Sequence, residues 1–175
     1  MVELEDRFKR LLEISKEKTE TRFESFEGTP GRIISARLRP GTDLITGIKE
    51  ITKKHHVLAG ALVVSFGSLS CAEVTWKEGS KPDPTKKSTR FKVEGPTSFL
   101  SSQGKVGITE DGEPIVHLHG ILVDWGGNMW GGHFHDGGNP VFSTFEIIIQ
   151  EIAGIRHTKI WDDESGAKLL KAVPL

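Results

Sequence analysis

A single cysteine, Cys71, stands in the whole chain, so no intrachain disulfide can brace it and no cysteine-rich zinc finger can form. That usage fits a reducing compartment. Long apolar runs are missing too. No stretch approaches the roughly 20 apolar residues that a membrane span needs. The N-terminal stretch MVELEDRFKRLLEISKEK carries charge throughout, where a signal peptide would have an apolar centre. The chain therefore reads as cytoplasmic, with no membrane partner. A surplus of one charge sign is also lacking: 23 Lys and Arg against 24 Asp and Glu leave a net charge of -1. Such a chain has no broad basic field to hold nucleic acid. There is no internal repeat, no low-complexity block and no linker long enough to divide it. What is present, 36% hydrophobic and 27% charged residues over 175 positions, suits one folded domain with a real core.

Residues 3–18 have helical periodicity, with Leu4, Phe8, Leu11 and Leu12 on one face and charges on the other. IISARL (33–38) reads as a strand, broken by Pro40-Gly41. Thr42 or Asp43 can cap a helix in which Leu44, Ile45, Ile48 and Ile51 form a buried stripe, with Gly47 inside it at some cost in propensity. VLAGALVV (57–64), closed by Gly67, is a well-buried strand, and CAEVTW (71–76) is another. EGSKPDPTKKST (78–89) has the residues of an exposed loop. RFKVEG (90–95), SFLSSQGKVGI (98–108), PIVHLHGILVD (114–124) and NPVFSTFEIIIQEI (139–152) resume strand patterns, with a tight turn at EDGE (110–113). In the tail, HTKIW (157–161) can add an edge strand and DESG a turn. About seven strands and two helices with short connections predict an α+β fold, a largely antiparallel sheet packed against helix.

One stretch concentrates chemistry. HLHGILVDWGGNMWGGHFHDGG (117–138) holds four of the seven histidines as two HxH pairs, His117/His119 and His133/His135. In a strand, residues two apart point to one face, so His117 and His119 project side by side about 6–7 Å apart. His133 lies beyond a turn over 125–132 and can return beside them. Three imidazoles with one open position form a zinc arrangement used in catalysis, and other divalent metals also accept imidazole. Metal-bound water can ionise near neutral pH. His135 either joins the set or points to solvent. Asp124 and Asp136 are candidates to orient the imidazoles from behind. The bland reading is half-buried strand histidines bonded to backbone, or a polar patch at a subunit interface. The two pairs, the absence of further cysteine and the absence of an HExxH motif favour the metal. His55 and His56, after Lys53-Lys54, read as helix-end capping, where the dipole favours a cation. His157 is read as structural too.

Other features are weaker. Ser68 in FGSLS lacks the GxSxG pattern and an acid–base partner, so a turn is the better reading. Trp125, Trp130, Phe134 and Phe142 surround the histidine stretch; they suit the wall of a subunit interface more than a stacking platform. Lys81, Lys86, Lys87 and Arg90 are the one local basic loop that can meet phosphates, though such runs are more often solvated. Arg37 and Arg39 would converge in a symmetric assembly. No residue set specifies a reaction, so whether the chain is an enzyme stays open.

Several segments in order carry a resemblance: RLRPGTDL before a helix, then GALVVSFGSLSCAEV, EGPTSFLSSQGKVGI, DGEPIVHLHGILVD, GGHF and STFEIIIQEI. Together they resemble the PPC domain, the plants and prokaryotes conserved domain, over residues 32–153. Residues 1–31 then form an N-terminal helical extension and 154–175 a C-terminal tail. The resemblance implies an antiparallel sheet packed against helix and a homotrimer. It implies a metal at His117, His119 and His133 in some members, with Ser68 near the site cavity; Trp130, beside the histidine stretch, is a further candidate to line the site. Plant members join the domain to AT-hooks and regulate transcription, and prokaryotic ones carry a DNA-binding label. TPGRII (29–34) lacks the Gly-Arg-Pro core of an AT-hook, because isoleucine follows Gly31-Arg32. The resemblance thus yields two functions: a trimeric zinc-binding protein that takes a small molecule at the metal, or a DNA-binding regulator.

Overall fold

The structure, a computed structural model, describes residues 2–16, 21–76 and 89–175. Helix α1 covers Val2–Lys16, β1 Thr29–Leu38, α2 Leu44–Lys54, β2 Ala59–Leu69, β3 Ala72–Trp76, β4 Thr89–Val93 and β5 Thr97–Ile108. β6 then covers Pro114–Val123, β7 Met129–Phe134, β8 Val141–Ala153, β9 Ile155–Asp162 and β10 Ala167–Pro174. Eight strands make one sheet in the order β1-β8-β2-β5-β6-β7-β3-β4, and β9 pairs with β10 as a separate two-stranded sheet. Neighbouring strands run antiparallel. No helix among the described residues is long and apolar enough to cross a membrane.

Local chemistry explains the α2 region. Asp43 caps the helix, its Oδ1 accepting from the Thr46 N–H at 3.1 Å. Leu44, Ile45 and Ile48 are then buried at the helical spacing. Gly47 is tolerated because a Cβ there would meet Leu38 Cδ2 at 2.7 Å, so its absence lets α2 lie close to β1. His55 is the C-cap, next to Lys53 and Lys54 in the last turn. The helix packs on the inner face of the sheet. There Phe99 meets Phe134 and Phe145 edge-to-face, with ring centroids 5.2 and 4.9 Å apart, over Leu118, Leu122, Ile147 and Ile149.

The strand count differs from the seven expected. β7 was hidden because MWGGHF carries two glycines in six residues, which erase the alternation of side chains. The expected turn over 125–132 is therefore shorter. It closes from Asp124 to Asn128, and pairing resumes at Val123 with Met129. KLLKAVP likewise shows no period-two pattern, yet forms β10. HTKIW does not extend the main sheet. It belongs to β9, which lies across β5 instead. His157 N–H donates to Leu58 O at 3.0 Å, and its Nδ1–H to Val106 O at 3.0 Å. Phe134, expected at an interface, is 1% exposed and belongs to the core.

Candidate metal centre

Alternation along β6 builds the site. Leu118 and Leu122 turn inward and are fully buried, so His117 and His119 turn to the outer face. Cross-strand register does the rest. His119 sits opposite His133 of β7, His133 opposite Thr75 of β3, and on the other side Gln103 of β5 opposite His119. Directly opposed residues in an antiparallel pair hold their side chains about 5 Å apart on one face. Lys105 faces His117 in the same way.

The ring nitrogens converge. His117 Nε2 lies 3.1 Å from His119 Nε2, and His133 Nδ1 lies 3.2 Å from the same His119 atom. All three candidate ligand atoms fall within 4.8 Å of one another. Hydrogen bonding alone explains this poorly. One ring nitrogen carries either an N–H or one lone pair, so His119 Nε2 cannot serve two ring nitrogens well. A cation can: with bonds of about 2.0–2.1 Å in tetrahedral geometry, ligand nitrogens stand about 3.3 Å apart. The donor set thus fits a divalent metal ion that prefers imidazole.

Protonation agrees with that fit. Burial pushes His133 down to about 4, helped by the positive charges that His135, His117, His119 and Lys159 would present. Burial is also the main cause that lowers His117, followed by His119, Lys159 and Lys105. His135 is lowered by burial first and then by Arg90. Neutral imidazoles with free lone pairs are what a metal requires.

The other expected site residues are distributed as follows. His135 stacks edge-on against His133 at 4.4 Å, and its Nε2 shares a 2.8 Å hydrogen bond with Thr75 Oγ1. Asp124 is engaged in its own hairpin: it accepts from Asn128 N at 2.9 Å and from Trp130 Nε1 at 2.8 Å, which holds its carboxyl below the usual range. Trp130 stacks on Phe91 at 4.9 Å. Ser68 Oγ lies 2.9 Å from Ser143 Oγ and accepts from the Ser143 N–H, the role of a strand-pairing hydroxyl. Asp136 pairs with Lys49 at 2.7 Å. Lys81, Lys86 and Lys87 lie outside the described residues, while Arg90 is paired with Glu73 at 3.2 Å.

Asn139 escaped the sequence reading. It is fully buried, and its Nδ2 donates to His135 O at 3.0 Å and Gly137 O at 3.1 Å. Its Oδ1 accepts from Glu73 N at 2.9 Å, and its N–H donates to Asp43 Oδ2 at 3.0 Å. The side-chain amide thus ties the end of the histidine strand to β3, and the backbone N–H of the same residue ties it to the α2 cap. The Asn-Pro dipeptide after Gly137-Gly138 was the available signal, as a turn marker.

The curated bifunctional protein GlmU of Synechococcus sp. strain JA-3-3Ab is 26% identical over 135 residues, which are 77% of this chain but only 20% of that protein. The chain therefore spans about a fifth of the curated relatives it matches. A metal-containing protein of Archaeoglobus fulgidus superposes with a TM-score of 0.72 at 23% identity, covering 85% of this chain and 99% of that one. A plant- and prokaryote-conserved (PPC) protein of Pyrococcus horikoshii gives 0.71 at 24% identity, covering 87% and 100%. A candidate DNA-binding protein of Ralstonia eutropha gives 0.65 at 21% identity, covering 80% and 90%. At these identities the solved structures establish the fold, and residues 25–153 match the family profile directly. The chain belongs to the family of the Plants and Prokaryotes Conserved (PCC) domain.

Proposed function

We propose that this chain is a homotrimeric metal-binding protein that holds zinc through His117, His119 and His133 in a cleft between subunits. The convergence of three ring nitrogens on one point carries the reading. Two of their separations, 3.1 and 3.2 Å, match a tetrahedral ion with one position left for a small oxygen ligand. When bound, zinc would supply a Lewis acid and lower the proton affinity of a water at that position. The chain's own part is to lower the proton affinity of His117 and His133 through burial and to fix all three imidazoles on paired strands. The metal content named for the Archaeoglobus fulgidus protein supports the same reading. Self-assembly is supported by the outer sheet face and its bulges, which expose Val63, Phe66, Leu100, Ile121 and Met129 at 45–67%. A second copy would cover such a face.

Elemental analysis of tag-free wild type beside His119→Ala tests the metal, and sedimentation tests the assembly. About one zinc per chain in the wild type, lost from the variant, is expected for a three-histidine site. Metal-free wild type of trimeric mass would end the metal reading, and a monomer would end the assembly reading. DNA binding is the second reading, favoured by the name of the Ralstonia eutropha structure. The net charge of -1 opposes it. No retention of duplex DNA at about 50 mM salt, where phosphate contacts are strong, would eliminate it.

A further inference from the structure

The β9–β10 hairpin lies on the histidine side of the sheet, and a glycine places it there. On β5, Gln103, Lys105 and Gly107 alternate onto the face that carries His119 and His117. A Cβ on Gly107 would overlap His157 O and sit 2.6 Å from His157 Cβ. The missing side chain lets β9 rest against β5, beside Lys105. Two residues further along β9, strand alternation turns Lys159 to the same side as His157, toward the histidine face of the sheet. Lys105 stands directly opposite His117 across the β5–β6 pair. Both lysines are exposed, and no ion pair engages either of them among the described residues. The two carboxylates that act on His135 are each paired with a cation: Glu73 with Arg90, and Asp136 with Lys49. Three neutral imidazoles leave a divalent ion's charge uncompensated, and two ammonium groups add to it. A site of that charge, in a chain that is otherwise near neutral, calls for an anion.

Resting on the metal reading above, we propose that the open position takes a small oxyanion, a carboxylate or a phosphoryl group, gripped from the β5–β9 side by Lys105 and Lys159. One anionic oxygen completes the tetrahedron, and the ammonium groups receive the remaining oxygens as point-charge donors. Lys159 lies outside the family-matched residues 25–153, so this half of the grip comes from the tail.

The test is a titration of cobalt-loaded protein, followed by its visible spectrum, with acetate in one arm and inorganic phosphate in the other. Wild type is compared with a Lys105→Met, Lys159→Met double variant and with Lys159→Arg, each checked for metal content. The wild-type band should shift and saturate with at least one anion, acetate marking a carboxylate site and phosphate a phosphoryl one. The double variant should keep its metal and need about a hundredfold more anion, about tenfold for each of the two charge-assisted hydrogen bonds removed. Lys159→Arg should recover most of the affinity. Equal affinity in wild type and the double variant, at full metal content, overturns the lysine grip. A wild-type spectrum indifferent to both anions overturns the oxyanion. Wild type that binds no cobalt overturns this proposal together with the metal reading.

Discussion

Gly107→Ala should unseat the β9–β10 hairpin. The added methyl would overlap His157 O and stand 2.6 and 2.8 Å from His157 Cβ and carbonyl carbon. Two of these three are backbone atoms, so no rotamer change relieves the overlap. β9 must retreat by about 1 Å or the sheet must distort, and forced overpacking of this kind costs about 1–3 kcal/mol. Retreat also stretches the bonds from His157 N to Leu58 O and from Nδ1 to Val106 O, each 3.0 Å long. Those contribute about 1 kcal/mol apiece. Against this, alanine loses less chain entropy than glycine on folding, an offset of about 0.5–1 kcal/mol. The net expectation is about 2–4 kcal/mol of lost stability. Urea unfolding in the presence of a chelator reads it without contributions from bound metal. Ser101→Ala, an exposed position on the same strand, should stay within about 0.5 kcal/mol of wild type. A Gly107→Ala protein equally close to wild type would refute the seating of β9 on β5, and with it the position assigned to Lys159.

Asn139→Leu should destabilise by about 2–4 kcal/mol, because it removes a fully buried amide and the partners of the carbonyls of residues 135 and 137 and of the Glu73 N–H. It should also weaken metal binding about 10–100-fold in competition with a chromophoric chelator, as positioning groups commonly do; unchanged affinity would limit Asn139 to the fold. Acid should destabilise the metal-free protein. His117, His133, His135 and His157 are all lowered, burial being the leading cause in each. The unfolded chain therefore takes up protons near pH 6.5 that the native state refuses until lower pH, about 4 for His133. This stability is fully present above about pH 6.5 and is lost as pH falls; a urea midpoint higher at pH 5 than at pH 7.5 would contradict it. Phe99→Ala should cost about 3–5 kcal/mol by urea or thermal unfolding, since it removes the ring that touches both Phe134 and Phe145.

Local pattern alone determined a good deal. The α2 stripe and its Asp43 cap, the turn near Gly112, the strands around 34–38, 59–64, 98–108, 114–123 and 141–152, and the pairing of His117 with His119 on one face all follow from periodicity and turn chemistry within a few residues. Elsewhere the deciding contact lies far off in the chain. β7 is a strand because β6 and β3 pair with it on both sides, while its own glycines give no alternation. The third nitrogen reaches the first two because β6 and β7 align His119 with His133, and register is a property of a strand pair. Asp124 has the composition of a metal-site carboxylate, yet the nearby Trp130 N–H and Asn128 claim it. Asn139 reads as a turn residue and acts as a buried tie across 66 and 96 residues of sequence. His157 and Lys159 give no local sign of belonging near the cluster. Their place depends on a glycine fifty residues earlier that leaves room for a backbone, and only the folded chain brings the two together.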